Sequence, residues 1–224
     1  MERDALVRGL RDVLPILVGI VPFALVAGVA ASRAGFTFPQ AMGLSVFVFA
    51  GASQLAALSL VEGHAAFVAV VATAVAINLR MAMYSASLAP YFEGYAARWR
   101  ALLAYPLTDQ AFALSVATYR ESDVDRRWYY FAVAFAIWAV WQVATAAGVL
   151  LGAGVPSSWG LGFAVPLVFL ALLVPAIEGV PHAAAAVVAA AIAIYGADWP
   201  FNAGLLVGAL AGITVGLVVA GWRR

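Results

Sequence analysis

Hydrophobic residues run along this chain in long blocks separated by short polar breaks, and the blocks have helix rather than strand length. The first covers residues 13–31, with Pro15 and Pro22 inside it as kink points. A turn at 33–39 follows, and Pro39 suits a helix start. The second block, 40–61, closes at Glu62, Gly63 and His64. The third is 65–90 and the fourth 101–119, with polar stretches at 93–100 and 120–127. Blocks at 128–152, 160–177, 182–197 and 201–221 complete the chain. A helix needs about 20 apolar residues to cross the hydrocarbon core. The pattern therefore predicts an all-α, polytopic transmembrane helix bundle of about seven or eight membrane segments. We read residues 1–224 as one integral membrane transporter domain. The start, MERDALVRGLRDVLPIL, reads as a short interfacial helix entering the first span, not as a signal peptide.

Three blocks carry polar interruptions. Gly51-Ala52-Ser53-Gln54 lies in the second. Asn78-Leu79-Arg80 lies in the third, followed by Tyr84, Ser85, Ser87 and Pro90. Pro106-Leu107-Thr108-Asp109-Gln110 breaks the fourth. We expect interrupted or half helices at these places. An arginine between apolar runs costs roughly 2.5 kcal/mol or more on insertion scales, so it faces a bundle interior, a watery path or a partner. Asn78, Arg80, Asp109 and Gln110 are the strongest functional candidates on that ground.

Arginine placement bears on orientation. Arg3, Arg8 and Arg11, then Arg120, Arg126 and Arg127, then Arg223 and Arg224 mark three cytoplasmic stretches. Eight crossings satisfy all three but leave Arg98 and Arg100 outside. The alternative makes the third block two half-helices meeting at Asn78–Arg80, which moves 93–100 inside and makes 101–119 re-entrant.

A shift of 120 residues lays Ala24, Ala27, Gly28 and Val29 on Ala144, Ala147, Gly148 and Val149. It also lays Asn78-Leu79-Arg80 on Asp198-Trp199-Pro200. This raises an internal repeat with halves 13–104 and 133–224, a common transporter design, against chance matching of Ala/Val-rich spans.

Helical spacing groups the polar residues. Arg80, Tyr84, Ser87 and Tyr91 share one face, and Thr108, Phe112, Ser115 and Tyr119 repeat the spacing. Trp138, Trp141, Gln142, Thr145 and Gly152 form another. These faces line a cavity, or they bond helix to helix at about 0.6 kcal/mol per contact. Gly204, Gly208, Gly212 and Gly216 step by four along the last block, a flat side for a partner subunit or for this chain's own bundle.

Composition narrows the class further. Hydrophobic residues are 66% and charged residues 10% of the chain, against roughly 45–50% and 25% in soluble proteins. A net charge of +1 suggests no nucleic-acid partner. No cysteine is present, so thiolate metal sites, disulfides and a cysteine nucleophile are excluded. His64 and His182 fall in separate breaks without metal-ligand spacing, and we expect no metal and no cofactor. No P-loop or GxSxG elbow occurs, so neither an ATPase nor a serine hydrolase is indicated.

FAGASQ at 49–54, NLRMAMYSASLAP at 78–90, TDQAFAL at 108–114, WQ at 141–142 and FAVPLVFLALLVP at 163–175 resemble the AzlC family in its order, over nearly the whole chain. Met81 and Ala82 depart from the basic or aromatic residues that many members carry after NLR. The resemblance implies the large subunit of a two-component exporter of branched-chain amino acids in the inner membrane, working with a small AzlD-type membrane subunit. From the polar interruptions and the helical spacing, we read the path as lined by Gly51, Ser53, Gln54, Asn78, Arg80, Tyr84, Ser85, Ser87, Thr108, Asp109, Gln110, Trp138, Trp141 and Gln142. Arg80 would meet a substrate carboxylate, Asp109 the ammonium or a coupling proton, and the two tryptophans the side chain. A transporter of another small substrate and a non-transporting membrane scaffold are the competing classes.

Overall fold

The structure is a computed structural model that describes residues 2–152, 177, 179–197, 199 and 203–222. The block 160–177 apart from Ile177, together with Glu178, Asp198, Pro200, Arg223 and Arg224, lies outside the described residues. The described residues are helical without strand: α1 (Glu2–Arg33), α2 (Phe38–Val48), α3 (Gly51–Glu62), α4 (Phe67–Phe92), α5 (Ala97–Ala104), α6 (Asp109–Glu121), α7 (Arg126–Gly152), α8 (Val180–Tyr195) and α9 (Ala203–Trp222). The chain forms two compact units, residues 1–63 with 70–161, and residues 64–69 with 162–224.

The first unit is built on α1 and α7, which lie side by side and run in the same direction. Gly9 packs on Tyr129, Ala132 and Val133, Gly28 on Thr145 and Gly148, and Gly152 on Val29 and Ser32. The contacts are reciprocal under the 120-residue shift, since Gly28 meets Thr145 while Gly148 meets Leu25. Side chains at Gly28 and Gly148 would overlap the facing backbone, so only glycine allows this crossing. α1 is continuous through Pro15 and Pro22, with its charged first turns part of the same helix rather than a separate interfacial one.

α1, α4 and α7 are long and apolar enough to cross a membrane. The second and fourth blocks do not cross; each folds into two half-helices. α2 starts beside Pro39, where the Gln40 side chain accepts from the Thr37 amide at 2.8 Å. It ends at Phe49, whose backbone is left-handed (φ 34°), and Ala50 is extended before α3 begins at Gly51. α3 then turns back: Gly51 lies against Phe23, whereas Leu58 lies near Ala31 and Ala41, close to where α2 began. The pair α2–α3 is re-entrant from the end of the unit that holds Arg33.

The pair α5–α6 enters from the opposite end. Trp99 in α5 packs on Trp128, Tyr105 reaches Trp138, and α6 returns until Thr118 and Tyr119 meet Tyr129. Tyr105 through Thr108 forms the break. Thr108 caps α6 by accepting from the Ala111 amide at 3.2 Å, worth about 1 kcal/mol.

This topology corrects two expectations. α4 is one unbroken helix through Asn78–Arg80, because polar side chains leave the backbone ladder intact. The matching breaks invoked for the 120-residue repeat are therefore absent from its first half. Loop 93–100 also lies at the end of the unit that holds Glu2 and Arg127. Phe92 touches Tyr130, Tyr91 touches Tyr119, and the Arg127 guanidinium sits over Tyr95 and Trp99. The eight-crossing count is wrong for this part of the chain, and the conflict over Arg98 and Arg100 disappears. The segment 101–119 is re-entrant, but the compensating element is α2–α3 and not α4.

The second unit contains the α8–α9 hairpin. Gly204 packs on Gly196, Gly208 on Ala189 and Ala193, Gly212 on Ala185 and Ala189, and Gly216 on Ala185 and Pro181. The glycine row is occupied by the neighbouring helix of the same chain. This overturns its reading as a partner face: small residues bring a helix close, and here that helix is α8.

Candidate functional site

The two hairpin tips meet near the middle of α7. The Tyr105 hydroxyl donates to the Val46 carbonyl at 2.7 Å and accepts from Trp138 Nε1 at 2.9 Å. The Phe49 and Tyr105 rings lie 6.2 Å apart. Four helix ends therefore converge: the C-termini of α2 and α5, and the N-termini of α3 and α6. The N-termini carry partial positive charge and the C-termini partial negative charge. A cavity of about 220 Å³ at this junction is lined by Phe49, Ala50, Asn78, Met81, Tyr105 and Leu107, among others.

α4 crosses the junction and supplies its ionic and amide groups. Arg80 pairs with Asp109 at 2.7 Å, from the first position of α6. Two aromatic pairs then join the predicted faces, with Tyr84 stacked on Phe112 at 4.5 Å and Tyr91 tilted against Tyr119 at 5.1 Å. Asn78 donates to Ser53 Oγ at 3.2 Å, and Ser53 Oγ approaches the Ala74 carbonyl at 3.4 Å. Asn78 Oδ1, Arg80 Nε and Asp109 Oδ1 have no hydrogen-bond partner among the described residues. Asn78 lines the junction cavity and the Arg80–Asp109 pair lies two residues along α4, so an unsatisfied acceptor at the cavity and an unsatisfied donor and carboxylate oxygen on the pair are left to receive polar groups.

α3 and α7 hold the tip of α2–α3. Gly51 is pressed against Trp141 and Phe23, so a side chain there would collide with both rings. Trp141 Nε1 donates to Ser45 Oγ at 3.1 Å, Gln142 Nε2 to the Ser45 carbonyl at 3.4 Å, and Gln54 Nε2 to the Leu44 carbonyl at 3.0 Å. Trp141, Gln142 and Gln54 are buried and fix the α2–α3 break.

The sequence candidates thus divide. Asn78 meets Ser53 and lines the junction cavity, Arg80 meets Asp109, and Tyr84 stacks on Phe112 one turn from that pair. Gly51, Gln54, Trp138, Trp141 and Gln142 position the tips. Thr108 caps α6, and Ser87 bonds the Met83 carbonyl of its own helix at 2.9 Å. Ser85 lines a different cavity, nearer the end of the unit that holds Glu2. Gln110 makes no side-chain hydrogen bond among the described residues. Ser45 and Tyr105 are junction residues that sequence reasoning missed. Tyr105, an aromatic directly before Pro106, was readable; nothing in the sequence marked Ser45.

The AzlC protein family model matches residues 15–155. The Escherichia coli inner membrane protein YgaZ is 28% identical over 179 residues, covering 76% of this chain and 72% of that protein. An uncharacterized membrane protein of Archaeoglobus fulgidus is 30% identical over 227 residues, covering 99% of this chain and 97% of the relative. One from Helicobacter pylori is 26% identical over 171 residues, covering 74% of each. No solved structure gives a significant match. The family match spans every element of the junction, from α1 to α7, and the chain belongs to the AzlC family of membrane proteins.

Proposed function

We propose that this chain is the permease subunit of a secondary transporter that exports branched-chain amino acids across the cytoplasmic membrane. The observation that carries this reading is the meeting of two oppositely entering hairpins over the Arg80–Asp109 pair. Discontinuous helices whose ends converge on one site are the form in which transporters hold charged substrates. A branched-chain amino acid has a carboxylate, an ammonium and an apolar body. Arg80 and the N-termini of α3 and α6 suit the carboxylate. Asp109 and the C-termini of α2 and α5 suit the ammonium. Phe49, Met81 and Leu107 suit the body. Competition between substrate and Asp109 for Arg80 would let substrate binding open the pair.

Eight arginines, at positions 3, 8, 11, 98, 100, 120, 126 and 127, fall at one end of the first unit, whereas Arg33 falls at the other. By the positive-inside rule the arginine-rich end is cytoplasmic. A small AzlD-type subunit remains part of the proposal on family grounds, without the glycine row as its docking face.

The test is counterflow of labelled leucine, isoleucine and valine in proteoliposomes, with and without the small subunit. The reading expects exchange that Arg80→Ala abolishes. Wild-type vesicles that accumulate none of the three, with the small subunit present, would refute it.

A further inference from the structure

A second cavity, of about 350 Å³, opens at the arginine-rich end between α4, α5 and α7. Its volume suits one small molecule. Its walls include Leu88, Phe92, Leu103 and Leu107, and its polar groups are Ser85, Glu93, Arg100 and Tyr130. Tyr130 is 1% exposed, yet its hydroxyl has no hydrogen-bond partner among the described residues. Buried hydroxyls are seldom left so, and Tyr130 is among the residues that line the cavity. Glu93 and Arg100 are exposed on the cavity wall, and neither forms an ion pair among the described residues. Ala104 and Leu107 line both this cavity and the one at the hairpin tips, so the two adjoin.

We propose that this vestibule is a second substrate site, where a neutral α-amino acid with a branched apolar side chain is held before it reaches the hairpin tips. Arg100 takes the carboxylate and Glu93 the ammonium. The Tyr130 hydroxyl donates to the carboxylate, and the side chain lies on Leu88 and Leu103. One cation, one anion and a buried donor around an apolar wall match a zwitterion. A lipid phosphate would meet Arg100 but be repelled by Glu93. The inference rests on the transport reading above.

The test is equilibrium binding of labelled leucine to the purified full-length chain in nanodiscs. Wild type is expected to bind two leucines per chain. Arg80→Gln should remove the central one, and Glu93→Gln with Arg100→Gln the vestibule one. Tyr130→Phe keeps the ring's packing and should weaken the vestibule site about tenfold, the worth of one hydrogen bond to a charged group. In transport it should raise KM from the arginine-rich side while kcat holds. A single leucine lost only with Arg80→Gln overturns the vestibule and leaves the central reading standing. A single leucine lost only with the vestibule variants supports the vestibule and removes the central site. No leucine bound by wild type overturns both.

Discussion

Removing either partner of the Arg80–Asp109 pair separates a structural role from a transporting one. The pair is 2.7 Å long and its side chains are 34% and 36% exposed. Breaking a fully buried pair costs roughly 3–5 kcal/mol, because a charge is stranded. A surface pair is worth about 0–1 kcal/mol. With a third of each side chain open, Asp109 stranded by Arg80→Ala should cost about 1–2.5 kcal/mol, bounded above by the charge penalty of insertion scales. Arg80→Leu with Asp109→Leu strands nothing and should regain most of that stability. It should regain no transport, because neither end of the substrate has its partner. The assay pairs thermal unfolding in detergent with leucine counterflow at matched protein levels. A double-leucine variant that transports normally would refute the reasoning, since the pair would then only hold α4 to α6.

Gly148→Ala places a Cβ against the Leu25 backbone and should cost about 1–3 kcal/mol in thermal unfolding, whereas Gly43→Ala, with open space around it, should cost nothing. Tyr105→Phe removes the hydrogen bond that joins the hairpin tips and the one from Trp138 of α7, and should cost about 1–3 kcal/mol, with transport falling more than protein level. Gly212→Leu forces α9 off α8 and should lower protein yield without selectively releasing a small subunit, as yield and co-purification will show. Asp109→Asn should weaken the pair with Arg80 and lower leucine counterflow at matched protein level; a full rate would remove it from the transport site.

The helical blocks were legible because each is an apolar run of near-spanning length. The breaks after Val48 and at Tyr105 were legible from Gly51 and Pro106, residues that punctuate helices. At Asn78–Arg80 polarity marks no break, because polar side chains alone do not interrupt a helix. Those residues keep helical backbone bonds, and their side chains are met by Ser53 and Asp109 from distant parts of the chain. Whether a broken block crosses or turns back depends on what its second half packs against. Leu58 returning to Ala31 decides that for α2–α3, and no local pattern encodes it. The arginine conflict at 98 and 100 was the one sequence signal of the true topology. The glycine row announced a close helix but could not say whose.

The central claim is that two hairpins enter from opposite ends and meet. The chain has no cysteine, so single cysteines report cleanly. Glu62, Gly94 and Asp123 are exposed at helix ends or in loops. Each is replaced by cysteine in turn and challenged with a membrane-impermeant maleimide, from the outside of cells and then from inverted vesicles. The account predicts that Gly94→Cys and Asp123→Cys react only in inverted vesicles and Glu62→Cys only in cells. Gly94→Cys reacting from the same side as Glu62→Cys would mean that 101–119 crosses the membrane, and would contradict the account.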